Sequence, residues 1–160
     1  NNYAKSKYFG EKNALKNKNS IVIRTNITGY RNQEKRPTFF EWLLTSLRNK
    51  NKLIMFEDFY TSTIDSLSLA KMSLRIAMSK ECGIFNIGSS DCISKYEFSL
   101  KLAKELNIST DRIKTGSIKS IKPIRANSLG LDCSKACNVL KVSMPNSTQV
   151  IKNLLSQEKI

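Results

Sequence analysis

Along the chain, short apolar runs rich in β-branched residues alternate with longer stretches whose apolar positions recur every three or four residues. From Tyr3 to about Asn17 this spacing predicts a helix, with Tyr3, Lys7 and Ala14 on one side and Tyr8, Glu11, Lys12 and Leu15 around the rest. Ser20 to Thr25, reading SIVIRT before Asn26, is the pattern of a buried strand. Gly29 to Pro37 is polar and charged, and reads as a loop. A second helix is expected from Thr38 to about Leu47, with Phe39, Phe40, Leu43, Leu44 and Leu47 at helical spacing.

Lys52 to Phe56 reads as a second short strand, followed by a loop over Asp58–Ser62 and a helix from about Ile64 to Met78. The third strand is Gly83 to Gly88, bounded by glycines. Ser94 and Glu97 stand at capping-box spacing and open a helix that runs to about Leu106. A loop-rich stretch with Gly116, Pro123 and Gly130 follows, and short helices over Ser134–Leu140 and Ser147–Leu155 close the pattern. Alternating strands and helices point to an α/β fold. Three short strands make a thin sheet for 160 residues, and a strand as apolar as Ile21–Ile23 wants neighbours on both sides. The expectation is that part of the sheet lies outside this sequence.

Composition narrows the function classes. Forty per cent apolar and 25% charged residues suit one soluble domain, and 160 residues are enough to bury a core. Runs such as Leu53–Phe56 are far too short to span a bilayer, and the first residues lack the apolar core of a signal peptide. A cytoplasmic protein with no membrane partner is expected. Net charge is 27 − 13 = +14, but 20 of the cations are lysines scattered along the chain and only 7 are arginines. With 15 asparagines beside them, the excess reads as compositional bias rather than as a nucleic-acid surface of clustered arginine and aromatics. The same positive field suits an anionic small substrate such as a nucleotide diphosphate.

Four cysteines, Cys82, Cys92, Cys133 and Cys137, form no C-x-x-C pair, and the sequence has no histidine to complete a zinc site. Buried, reduced thiols are expected, and no metal. Without histidine there is no Ser-His-Asp or Cys-His nucleophile system either. Proton chemistry must then come from Tyr, Lys, Asp or Glu. Tyr3 and Lys7, one helical turn apart, supply such a pair. A free phenol ionises near ~10 and is a poor base at neutral pH, but a neighbouring ammonium favours its phenolate. A tyrosine so placed can pass a proton to or from a carbinol oxygen.

The pair does not stand alone. YAKSKYFGEK, followed by the strand IVIRTNITGY, resembles the extended short-chain dehydrogenase/reductase family, where a Y-x-x-x-K helix precedes a strand ending in an R-T-like motif. PTFFEWLLTSL, FEDFYTSTIDSLSLA, GIFNIGSSDCISKYEFSLKLAKEL and IRANSLGLDCSKA continue the resemblance in order, and look like the C-terminal half of its dTDP-4-dehydrorhamnose reductase-like branch.

The resemblance implies the C-terminal part of a Rossmann-like NAD(P)-binding domain plus a small α/β substrate-binding lobe. Residues 1–30 would be the remnant of the nucleotide-binding domain. Residues 31–160 would be mainly the substrate lobe, with some segments returning to the nucleotide-binding sheet. Tyr3 would be the catalytic acid/base and Lys7 would hold the nicotinamide ribose. Thr25 would stand beside the nicotinamide, and Asn26 and Arg125 would meet the sugar nucleotide. Ala126 replaces the proline that usually follows this arginine. Arg24 would be structural, and Phe59 and Tyr60 would pack.

The family's G-x-x-G-x-x-G turn, which cradles the cofactor pyrophosphate, matches none of the six glycines. The chain is therefore expected to be a fragment whose N-terminal half is a missing partner, and to bind NAD(P)H only when complete. The implied activity of the complete enzyme is reduction of a 4-keto-6-deoxy sugar nucleotide. An epimerase or dehydratase of the same family, and a non-catalytic regulatory subunit, are the alternatives. The resemblance also admits a homodimer.

Overall fold

The computed structural model describes residues 2–33, 35–121 and 126–158. Helix α1 (Asn2–Ala14) opens the chain and ends where the backbone turns at Leu15–Asn19. There the Ser20 hydroxyl donates to the carbonyls of Ala14 (2.5 Å) and Asn17 (2.6 Å), tying the turn to the end of the helix. No residue of α1 is buried, and Tyr8 and Phe9 are more than half exposed. Its main tie to the fold is a fork of two hydrogen bonds from Arg24 to Glu11, at 2.8 and 2.6 Å. Arg24 is thus structural, as expected.

Strand β1 (Ile21–Thr28) is the centre of a parallel three-stranded sheet. Along Ile21–Thr25 it pairs with β5 (Gly83–Ile87), and along Asn26–Thr28 with β4 (Thr63–Asp65) on its other edge. One face carries Ile21 and Ile23 beside Phe85 and Ile87, packed under helices α3 (Ser66–Met78) and α5 (Ser134–Leu140). Among the described residues no strand lies on the second edge of Ile21–Thr25.

The remaining strands build a second body. Helix α2 (Phe39–Arg48) starts at a full capping box, in which Glu41 accepts from the Thr38 amide while the Thr38 hydroxyl accepts from that of Glu41. Strand β2 (Leu53–Phe56) pairs in parallel with β7 (Ile113–Gly116), not with β1 as a single thin sheet would require. Helices α4 (Lys95–Glu105) and α6 (Ser147–Gln157) close a core of Phe40, Leu43, Leu53, Met55, Phe98, Leu102, Ile151 and Leu154. The Ser94/Glu97 capping box forms as read.

Several elements differ from the sequence reading. The stretch read as the Asp58–Ser62 loop contains β3 (Tyr60–Thr61), which joins β6 (Ile93–Ser94) and β8 (Ser128–Leu129) in a small mixed sheet. The helix expected from Ile64 begins at Ser66, because Thr63–Asp65 first runs as β4 and the Asp65 carboxylate caps the helix through the Ser68 amide at 2.8 Å. Asp65 is fully buried and also accepts from Asn153 at 3.2 Å, so the cap is itself held by α6. The cysteines are free, but Cys82 and Cys92 are exposed; of the four only Cys133 is fully buried. No helix among the described residues is long and apolar enough to cross a membrane.

Candidate active site and substrate cleft

Two clefts flank β1. The first, of about 840 Å³, lies between α1 and β1 and is lined by Tyr3, Lys7, Gly10, Glu11, Ala14 and Ile21 to Thr25. Helical spacing places Tyr3, Lys7, Glu11 and Ala14 on one face, so Glu11 joins the working face rather than standing apart as the sequence reading had it. The Lys7 amine stands over the Tyr3 ring, 5.6 Å from its centroid. Both side chains are open to solvent, with Tyr3 72% exposed. Thr25 enters the same cleft from the strand, and its hydroxyl is buried without a hydrogen-bond partner. An unpartnered buried hydroxyl is a group waiting for a donor or acceptor.

The second cleft, of about 440 Å³, lies at the C-terminal end of β1, beside the first residue of β4. Ligands of open α/β sheets gather at the carboxyl ends of strands. Asn26, Thr28, Arg31, Phe39, Phe59, Thr61, Thr63 and Lys95 contribute to its wall, and Ile27 borders both clefts. Asn26 lines this cleft, and its amide donates to the Leu129 carbonyl at 2.6 Å. Phe59 was read as packing and lines this cleft instead, while Tyr60 is 40% exposed.

Lys95 is the residue that the sequence reading passed over. It is the first residue of α4, and its amine lies 4.3 Å from the centre of the Phe39 ring and 5.9 Å from that of Phe98. Burial pushes its pKa down to about 8. A lysine in the first helical turn opposes the helix dipole, and that placement was the available signal in the sequence. Arg125 lies outside the described residues, so its expected place at the sugar nucleotide has no geometry. The chain resumes at Ala126, and Asn127 accepts from the Tyr60 amide at 2.8 Å before β8 joins β3. Among the described residues no group of three His, Cys, Asp or Glu side chains could hold a metal ion.

The family model of the RmlD substrate binding domain matches residues 1–160. The chain belongs to this family. Its fold is similar to three solved structures of dTDP-4-dehydrorhamnose reductases. A hypothetical one from Sulfolobus tokodaii is 25% identical, with a TM-score of 0.76, over 91% of this chain and 50% of that one. That of Yersinia enterocolitica is 17% identical, with a TM-score of 0.80, over 96% of this chain and 57% of that one. The Bacillus anthracis structure, in complex with NADP, is 13% identical, with a TM-score of 0.73, over 86% of this chain and 48% of that one. The chain thus spans about half the length of these proteins. Among curated proteins, none matches it.

For this RmlD-family chain the residues of the first cleft fit one end of a nicotinamide cofactor. The Tyr3 hydroxyl, the Lys7 amine and the free Thr25 hydroxyl together offer polar groups for a ribose and a carboxamide. A pyrophosphate cradle of the G-x-x-G-x-x-G kind is absent from the sequence.

Proposed function

We propose that the chain is the catalytic-tyrosine and substrate-lobe half of an NAD(P)-dependent nucleotide-sugar oxidoreductase that reduces a 4-keto-6-deoxy sugar nucleotide in the cytoplasm. The observation that carries this reading is the convergence of Tyr3, Lys7 and Thr25 on one cleft beside the central strand. Bound NAD(P)H would supply a hydride to the keto carbon. The Tyr3 hydroxyl would donate its proton to the keto oxygen, and the Lys7 ammonium would stabilise the phenolate left behind. Thr25 would orient the nicotinamide edge, and Asn26 would meet the sugar. In domain terms, residues 1–30 carry the proton chemistry, and residues 31–160 mainly hold the substrate, with β4, α3, β5 and α5 returning to the sheet of β1.

Hydride transfer is the deciding experiment. The chain is co-expressed with the N-terminal half of a family member that carries the glycine turn. NADPH or NADH oxidation is then followed with dTDP-4-keto-6-deoxy sugar. Oxidation dependent on both halves supports the reading; a folded complex that binds both ligands without oxidising either cofactor removes it. In that complex Arg125→Ala is expected to weaken sugar-nucleotide binding about tenfold, the scale of one charge-assisted contact. A change confined to cofactor affinity would displace Arg125 from the substrate.

Alone, the 160 residues are expected to bind neither cofactor. The first cleft offers only the nicotinamide end, and the half-open edge at Ile21–Thr25 favours self-association. Calorimetric titration with NADH and NADPH, with light scattering alongside, checks this. Micromolar affinity in a monodisperse monomer would contradict it.

A further inference from the structure

A third cavity, of about 470 Å³, lies where α5 begins, beside the loop that leaves β5, and shares no lining residue with the two clefts. Three of its lining residues carry sulfur: Cys133, Cys137 and Met144. Both cysteines are free thiols; Cys133 is 7% exposed, Met144 4%, and Cys137 is half-buried. Cys137 follows Cys133 by one helical turn, its amide donating to the Cys133 carbonyl at 3.0 Å, so the two side chains share a face. Lys141 ends α5 in left-handed backbone (φ 52°, ψ 48°), and Met144 comes back to pack in one cluster with both cysteines. The Ser90 amide donates to the Pro145 carbonyl at 3.0 Å, and the Asp91 carboxylate accepts from the amide and hydroxyl of Ser147 at 2.7 and 2.6 Å. These bonds tie the segment carrying Met144 to the loop on the opposite wall. The Asp132 carboxylate accepts from the amide and hydroxyl of Ser134 at 2.9 and 2.6 Å, which fixes the start of α5 at Cys133. One buried thiol alone reads as packing, because free cysteine behaves as a small hydrophobe. Two thiols and a thioether on one cavity are a group of soft donors.

We propose that Cys133, Cys137 and Met144 form a binding site for a soft monovalent cation of the Cu(I) class. Thiolate and thioether sulfur select Cu(I), whereas carboxylate and carbonyl oxygen suit harder ions. Such a cation is satisfied by two thiolates with a thioether beside them. It does not need the group of three His, Cys, Asp or Glu side chains that is absent among the described residues. Binding forms metal–sulfur bonds to Cys133 and Cys137, releases their two protons to solvent and leaves the metal as Cu(I), with the Met144 sulfur donating a lone pair. No electron changes hands. The Cys133 sulfur lies 3.9 Å from the Gly88 carbonyl oxygen and 3.7 Å from that of Leu131. Those oxygens favour positive charge at the sulfur, whether it is carried by a proton or by a metal. The site is independent of the reductase reading, since it uses no residue of either cleft beside β1.

The test is run without oxygen on the 160-residue chain carrying Cys82→Ser and Cys92→Ser, which removes the two exposed thiols. Cu(I) is presented as its coloured bicinchoninate complex, and the loss of colour counts the metal taken up by the protein. A single equivalent is expected to transfer. Adding Cys137→Ser is expected to abolish the transfer. Met144→Leu, a swap close in volume, is expected to keep it but weaken affinity about tenfold, the low end for disturbing a metal's surroundings. Ag(I), which binds the same donors without redox chemistry, is then titrated into the chain isotopically labelled at its methionine methyls. The Met144 resonance is expected to shift while those of Met55, Met72 and Met78 stay in place, a response that a merely structural cluster does not give. That shift is read in the parent, so it stays decisive whatever Cys137→Ser does to the melting temperature. No transfer of Cu(I), transfer undiminished by Cys137→Ser, or an unmoved Met144 methyl each overturns the site.

Discussion

In the enzyme completed with an N-terminal half, Tyr3→Phe is expected to slow turnover by roughly 10²–10⁴-fold, the usual scale for removing a general acid. The change deletes one oxygen and keeps the ring, over which the Lys7 amine lies at 5.6 Å from the centroid. With Tyr3 72% exposed and no residue of α1 buried, the substitution removes no core contact. Stability should therefore hardly move, and the loss should fall on kcat rather than on the KM for the sugar nucleotide. Steady-state rates in both substrates, with melting curves of the two proteins, make the check. A rate within twofold of the parent would take Tyr3 out of the mechanism. A large rise in KM with kcat preserved would make it a binding group instead.

The elements legible in the sequence were those with enough length to show a period. Helix α2 announced itself by five apolar residues at helical spacing, and α4 by its capping box; β1, β2 and β5 stood out as β-branched or apolar runs. The strands that went unread, β3, β4, β6, β7 and β8, are two to four residues long. No alternation can be recognised over two residues, and β7 reads Ile-Lys-Thr-Gly, with only its first residue buried. Such strands exist because a partner is already in place, as when Leu53 to Phe56 present a ladder to Ile113–Gly116. Sheet membership was hidden for the same reason. The register that separates β2 from β1 joins residues some sixty positions apart, and local pattern carries nothing about it.

The candidate site divides along the same line. Tyr3 and Lys7 were visible because one helix turn joins them, and Thr25 through the family resemblance of the strand that follows. Thr28 shares a strand face with Asn26 by the two-residue period, so it could have been placed beside it. Lys95 and Phe39 are 56 positions apart in sequence, and only the fold brings the amine over the ring. What sequence could show was a local misfit, a lysine at the start of a helix, where a cation is disfavoured.

That misfit has a measurable consequence for stability. Lys95→Met is expected to stabilise the chain by about 2 kcal/mol at pH 7, and the gain should shrink as pH rises. Burial lowers the folded-state pKa of Lys95 to about 8 from 10.5. Each pKa unit corresponds to about 1.4 kcal/mol, so carrying the charge into the fold costs about 3 kcal/mol before compensation. Contact with the faces of Phe39 and Phe98 returns on the order of 1 kcal/mol, which does not cancel the desolvation. Between pH 8 and 10.5 the unfolded chain holds the proton and the folded chain has lost it, so stability of the parent rises with pH across that window. Below about pH 8 both states are charged, and the full penalty applies. Methionine keeps a flexible apolar stem over the two rings without the charge, so the variant lacks this pH dependence. The difference between parent and variant cancels the titration of the other lysines. Urea unfolding of both proteins at pH 7, 8.5 and 10 therefore isolates Lys95. A variant less stable than the parent at pH 7, or a gap that stays constant to pH 10, would show that the amine is already well solvated. A gap that closes as expected identifies a cation kept in the cleft at a cost to the fold, the balance commonly struck where a charge serves a ligand.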